Sequence, residues 1–308
     1  LLSRRSFLGA ALTAAPAAGM LSSVVLPAAA RAQAATTPIA TTALRGLTLL
    51  SGAGCNVVAL RGETGALMVD GGLAARADAL LRSVLEATDS DQIDTLVNTH
   101  WHPEVTGANE AVGRAGGTIF AHEKTRMYLS NPVYSALFDG RLEPLPAIGR
   151  PNEVTRGDGQ LEFPGTRVDY GYLPAAHTDG DLYVYFPEFD VLATGGVVSG
   201  DRFPLLDYRN GAWFGGRVRA LQWLAELVNP DTQVVPGNGP VVDGTEIRRQ
   251  RDIYLELFET LISYMNRGFG PEDAAAADPL ASFADEFGDS SEFIYGAYRS
   301  MLIAYVPD

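Results

Sequence analysis

At 308 residues, 46% of them hydrophobic, the chain is long enough to bury a substantial core. Its 23 basic and 37 acidic residues give a net charge of −14, which argues against nucleic acid or an anionic membrane as the partner and says nothing about a small substrate. The single cysteine, Cys55, rules out an internal disulfide and falls in an apolar strand pattern, as a core residue would.

Residues 1–34 form a targeting segment by their pattern. Ser3-Arg4-Arg5-Ser6-Phe7-Leu8 resembles a twin-arginine export signal; an Ala-rich apolar run to Leu26 and the small-residue stretch from Ala28 to Ala34 follow it. This is the order of a charged region, an apolar region and a cleavage site. Gly9, Pro16 and Gly19 interrupt the run, which disfavours the alternative, a membrane-spanning anchor. A periplasmic protein, cleaved near Ala32 or Ala34 and left without an anchor, is expected.

From Thr41 onward, Leu47–Leu50, Asn56–Leu60 and Ala66–Asp70 are apolar or alternating runs bounded by glycine, the pattern of antiparallel strands. Leu73, Ala77, Leu80, Leu81, Val84 and Leu85 recur at helical spacing. Ile93–Asn98 reads as a buried strand, Val105–Arg114 as a helix and Thr118–Ala121 as a strand. Tyr128–Pro151, rich in proline and aromatics without clear period, is expected to be a loop or lid. Strands follow at Leu161–Phe163, Arg167–Leu173, Leu182–Phe186, Val191–Thr194 and Gln233–Val235, with a helix over Trp213–Val228 between the last two. Beyond Thr245 the pattern turns helical, over Ile247–Arg267, Glu272–Ala277 and Ser291–Ala304. The organisation expected is a principal domain over residues 41–245 with a helical extension over 246–308.

Two of the four histidines stand in Asn98-Thr99-His100-Trp101-His102-Pro103-Glu104, where the chain leaves a strand. Residues i and i+2 of an extended segment point the same way, so His100 and His102 aim at one point with a carboxylate close behind. Imidazole and carboxylate are both zinc ligands; loop hydrogen bonds satisfying the pair are the alternative. Other chemistries lack support. Gly52-Ala53-Gly54 meets Val57 where a dinucleotide loop needs its third glycine, the only lysine is Lys124, which excludes a Walker-type loop, and no G-x-S-x-G or C-x-x-C occurs.

The stretch His100 to Asn109 resembles the H-x-H-x-D-H loop of the metallo-β-lactamase superfamily. Further resemblances follow in order: Val69-Asp70-Gly71-Gly72, Ala121-His122-Glu123, His177-Thr178-Asp179-Gly180-Asp181, Val191 to Gly196, and Val235-Pro236-Gly237-Asn238-Gly239-Pro240. The resemblance covers roughly residues 45–245 and implies an α/β fold, the αββα four-layer sandwich, with the C-terminal helices as an extension. It also implies three metal ligands, His100, His102 and His177. The second metal site of the family is degenerate here. Glu104 replaces the motif's Asp, Val105 its following His, Gly196 the bridging Asp and Asn238 the last His. One zinc is therefore expected, with iron as the other metal three histidines can hold.

Three histidines leave a tetrahedral zinc one open position, where water acquires a pKa of about 7. Glu104 is then the candidate to deprotonate or orient that water, or to bind the metal itself. Asn238 is a candidate donor to a substrate carbonyl, or else a turn residue between two glycines. Asp70 and Asp181 are candidate acceptors for the outer histidine nitrogens, or turn caps. His122 is not needed as a ligand. The implied function is an exported zinc hydrolase acting on a lactam, lactone, ester or thioester; the alternative is a non-catalytic metal- or ligand-binding protein of the same fold.

Overall fold

The computed structural model describes residues 38–135, 137–138 and 140–305; the targeting segment expected over 1–34 lies outside the described residues. Strands β1 (Ala40–Leu44), β2 (Leu47–Ser51), β3 (Val57–Arg61) and β4 (Ala66–Val69) each run antiparallel to the one before. Helix α1 (Ala77–Thr88) leads to β5 (Ile93–Val97), and the short helices α2 (Pro103–Thr106) and α3 (Asn109–Arg114) lead to β6 (Thr118–His122); both crossovers join parallel strands. After α4 (Glu123–Ser130) comes a hairpin of β7 (Val133–Ser135) and β8 (Gly140–Leu142), and then β9 (Glu153–Thr155), which pairs with β6.

A second sheet takes β10 (Gly159–Leu161), β11 (Val168–Leu173), β12 (Asp181–Phe186), β13 (Val191–Gly195), β14 (Gln233–Pro236) and β15 (Val242–Asp243) in sequence order. Helix α5 (Phe214–Leu227) makes the crossover between the parallel strands β13 and β14. Helices α6 (Gly244–Asn266), α7 (Pro271–Ala276), α8 (Ala284–Phe287) and α9 (Ser291–Tyr305) follow. Among the described residues no helix is long and apolar enough to cross a membrane.

The layering follows from the two-residue period of the strands. Val58 and Leu60 of β3, with Leu67 and Val69 of β4, face Leu182, Val184 and Phe186 of β12 in one cluster between the sheets. Their alternates Val57, Ala59, Ala66 and Met68 pack beneath Leu80 and Val84 of α1. On the other sheet, Leu192 and Val234 turn outward to meet Phe214, Leu221 and Leu224 of α5 and Tyr254, Leu257 and Leu261 of α6. A strand covered on both faces must be apolar throughout, which explains the unbroken Val57–Leu60 and Ala66–Val69 runs. Helices, sheet, sheet and helices make the expected αββα sandwich.

Local departures from the sequence reading have identifiable causes. The helix expected over Val105–Arg114 is two helices, because Gly107 and Ala108 donate to Gly72 O and Gly71 O (2.7 and 3.0 Å). A Cβ on Gly107 would lie 2.1 Å from Ala74 N, so only glycine lets this turn press against the end of β4. Tyr128–Pro151, expected as a loop, holds the end of α4 and the β7–β8 hairpin, whose strands of three residues are too short to show a period.

The loop after β5 is braced by a reciprocal amide pair. Asn98 Nδ2 donates to Asn109 Oδ1 (3.0 Å), and Asn109 Nδ2 donates to Asn98 Oδ1 (2.8 Å) and Gly149 O (3.1 Å). Both side chains are fully buried, so removing one strands the other without water to replace it. Asn109→Ala is expected to lower stability by about 1–3 kcal/mol, seen as a lower urea midpoint at constant slope; an unchanged midpoint would show that the pair does not brace the loop.

Candidate metal centre

Residues Asn98 to Trp101 carry the chain out of β5, and Pro103 starts α2 immediately after His102, whose backbone stays extended (φ −63°, ψ 151°). Proline suits a first helical position because its φ is preset and its missing N–H is not needed there. His177 lies in the turn between β11 and β12. The ligand atoms of His100, His102, Glu104 and His177 lie within 4.8 Å of one another, the one such convergence of three or more His, Cys, Asp or Glu among the described residues.

The three rings meet edge to face, with centroids 4.7–4.8 Å apart and planes 79–88° from one another. Each keeps its outer nitrogen occupied. The Nδ1–H of His100 points to Thr99 Oγ1 (3.0 Å), whose hydroxyl in turn donates to Asp70 (2.9 Å). The Nε2–H of His102 points to Asp207 Oδ2 (3.3 Å), and the Nδ1–H of His177 to Leu205 O (2.9 Å). These partners set the tautomers, and His100 Nε2, His102 Nδ1 and His177 Nε2 are left facing one another.

This donor set fits a metal ion. His177 Nε2 lies 3.2 Å from His102 Nδ1, and two nitrogens bound at 2.0–2.1 Å on a tetrahedral ion stand about 3.3 Å apart. His100 Nε2 is buried without any hydrogen-bond partner, an arrangement that an ion at the centre would account for. Glu104 Oε1 approaches from the open side, 3.6 Å from His102 Nδ1 and 4.0 Å from His100 Nε2.

Electrostatics point the same way. Burial drives His100 well below its usual pKa, and the neighbouring His102 and His177 add to the shift. His177 is lowered to about 3 by burial, His102 and Arg217. Burial acts in the same direction on His102, but its hydrogen bonds and charge pairing with Asp207 and Glu104 outweigh it and raise that ring to about 9. Burial tends to raise Glu104, and His102 overrides it and holds the carboxylate below its ordinary value.

The remaining expected residues divide. Asp70 reaches His100 only through the Thr99 hydroxyl, and burial raises its pKa to about 7 against the Thr99 hydrogen bonds. Asp181 does not meet a ring. It accepts from the backbone N–H of His177 (2.6 Å) and from the Thr178 N–H and hydroxyl, so it shapes the turn while Leu205 takes the ring proton. Asn238 is exposed in the turn after β14 and takes no part in the hydrogen bonds around the histidines. His122 is outside the cluster, stacked on Tyr172 at 4.0 Å. Val105 packs into the core under α1. A Cβ on Gly196 would meet the His177 ring at 2.2 Å, so no aspartate fits there with this ring in place.

Asp207 escaped the sequence reading. It sits 105 residues from His102 in a segment without periodicity, and no motif marks it. It also accepts from Ser135 Oγ (3.1 Å) and Asn210 Nδ2 (2.9 Å). Arg217 of α5, fully buried, likewise carried no signal; it donates to Gly196 O (3.0 Å) and supports the turn against His177.

Comparison with known proteins agrees with this geometry. Residues 50–259 match the family described as the metallo-beta-lactamase superfamily. No curated protein sequence matches the chain. Among solved structures, a metallo-beta-lactamase from Pontibacter korlensis is 20% identical with a TM-score of 0.55, over 70% of this chain and 93% of that one. A metallo-beta-lactamase from Hirschia baltica is 17% identical with a TM-score of 0.56, over 71% and 98%. The inverting sec-alkylsulfatase Pisa1 from Pseudomonas sp. is 18% identical with a TM-score of 0.65, over 86% of this chain but only 50% of that one. These likenesses concern the fold; the matched length and the converging histidines together place the chain in the metallo-beta-lactamase superfamily.

Proposed function

We propose that the protein is an exported hydrolase that uses a single zinc ion to attack an acyl-type centre, such as a lactam, lactone, ester or thioester. The observation that carries this reading is a complete three-histidine donor set facing one carboxylate, with Val105 and Gly196 where a second metal would need ligands. His100, His102 and His177 would hold such an ion, which would supply Lewis-acid chemistry and bring the pKa of water to about 7. Iron is the other metal this donor set accommodates. Export rests on the Arg4-Arg5 pattern and the Ala-rich run behind it.

The chain's own groups have distinct parts. Glu104, kept ionised by His102 and with 23% of its side chain exposed, is the group placed to take a proton from entering water. Asp207 fixes the His102 ring so that Nδ1 faces inward, as an acceptor on the outer nitrogen does for metal-binding imidazoles. Arg217 and Asp181 hold the backbone on either side of His177. One observation favours a non-catalytic metal-binding protein instead: His100, His102 and His177 are only 2%, 1% and 7% exposed, which narrows access to the centre.

Three variants separate these readings. With zinc-loaded protein and a panel of esters, lactones and lactams, His102→Ala is expected to abolish hydrolysis with circular dichroism and unfolding midpoint retained; joint loss of metal and fold, with no turnover in the parent, would favour the non-catalytic reading. Glu104→Gln is expected to lower kcat/KM about 100-fold or more at unchanged metal content, whereas loss of metal would make Glu104 a ligand. Asp207→Asn is expected to weaken zinc binding about 10- to 100-fold in a chelator competition. Parent-like affinity in that variant would remove Asp207 from the centre.

A further inference from the structure

We infer that Ser135 is a positioning residue for His102, acting through Asp207, so that the β7–β8 hairpin and the metal centre are coupled and occupation of the centre steadies the hairpin. The inference requires the three-histidine site but not hydrolysis. The coupling runs through one hydroxyl. Ser135 Oγ lies 3.1 Å from the Leu137 backbone nitrogen and 3.1 Å from Asp207 Oδ2. An N–H can only donate, so Leu137 takes a lone pair of the hydroxyl, whose single proton goes to the carboxylate. Asp207 Oδ2 thus accepts from Ser135 and, at 3.3 Å, from the Nε2–H of His102, whose Nδ1 faces the centre.

Asn210 locks this arrangement. Its side-chain N–H groups go to Asp207 Oδ1 (2.9 Å) and to the Tyr134 carbonyl (3.1 Å), so both carboxylate oxygens are committed and the hairpin is held at two successive residues. His102, Asp207 and Ser135 are only 1%, 2% and 3% exposed, so no water replaces a lost donor. Asp207 stands 72 residues from Ser135 and 105 from His102. Local chain geometry therefore does not hold the three together; the carboxylate does. A further hairpin contact falls on the same imidazole, the Phe138 ring lying edge-on to His102 at 4.9 Å. Coupling is reciprocal: whatever factor the docked hairpin adds to the affinity for an ion, a bound ion adds to the docking of the hairpin.

Two measurements on the full chain test this, zinc affinity by chelator competition and amide hydrogen exchange with and without saturating zinc. Ser135→Ala is expected to weaken zinc binding about five- to tenfold, and to cost nothing further when Asp207 is already replaced by alanine. In the parent, zinc is expected to slow exchange of the Leu137 amide and of the paired β7 and β8 amides by a similar factor. The hydrogen-bonded turn at Arg267–Phe269, outside this chain of contacts, is expected to change little. A hydroxyl that served the hairpin's own stability alone would leave zinc affinity untouched. Parent-like affinity in Ser135→Ala, an equal loss in the Asp207→Ala background, or equal slowing at Arg267–Phe269 overturns the inference. The exchange measurement needs no variant, so it decides the matter even where Asp207→Ala fails to fold.

Discussion

The structure depends on keeping three imidazoles buried with their inner nitrogens converging on one point, where that of His100 has no protein partner. A buried polar atom without a hydrogen bond costs on the order of 1–3 kcal/mol, and His100 Nε2 stands in that position. The rings cannot turn away to relieve it, because Thr99, Asp207 and the Leu205 carbonyl hold their outer nitrogens. An ion bound by the three inner nitrogens would satisfy His100 Nε2 without any movement of these supports.

Everything around the centre serves to bring three distant segments to one place. The ends of β5, β11 and β13 come together because the two sheets pack face to face through Val58, Leu60, Val184 and Phe186. Gly107 lets the turn after α2 press against the end of β4, and Gly196 lets β13 run on past the His177 ring. At that position any side chain would collide with the His177 ring. The Gly196 carbonyl is in turn held by Arg217, so a buried guanidinium supports the turn at this place.

Much of the fold was legible in the chain because strands covered on both faces have to be apolar. Runs such as Val57–Leu60 and Val191–Thr194 are short, rich in β-branched residues and bounded by turn signals, which favours buried strands, and α1 and α5 repeat at helical spacing. The three-residue strands of the hairpin carry too few residues for any period to appear, and the break at Gly107 depends on contacts with a segment more than thirty residues earlier in the chain. At the site, the inward-facing nitrogens were legible as a spacing, His100 and His102 two apart and His177 in its own motif. Their supports were not. Leu205 acts through its carbonyl, which any residue possesses, and Asp207 meets His102 only because the segment after β13 folds back over the centre. Asp181 was legible as an acceptor, but its donors are the His177 and Thr178 N–H groups and the Thr178 hydroxyl, not a ring.

The central claim is one metal ion on three histidines, and metal content per chain tests it most directly. Elemental analysis of protein purified without added metal is expected to give close to one zinc per chain, falling to near zero in His100→Ala. Two ions per chain would contradict the account by requiring ligands other than these, and none, in a chain that is folded and offered zinc, would contradict it outright.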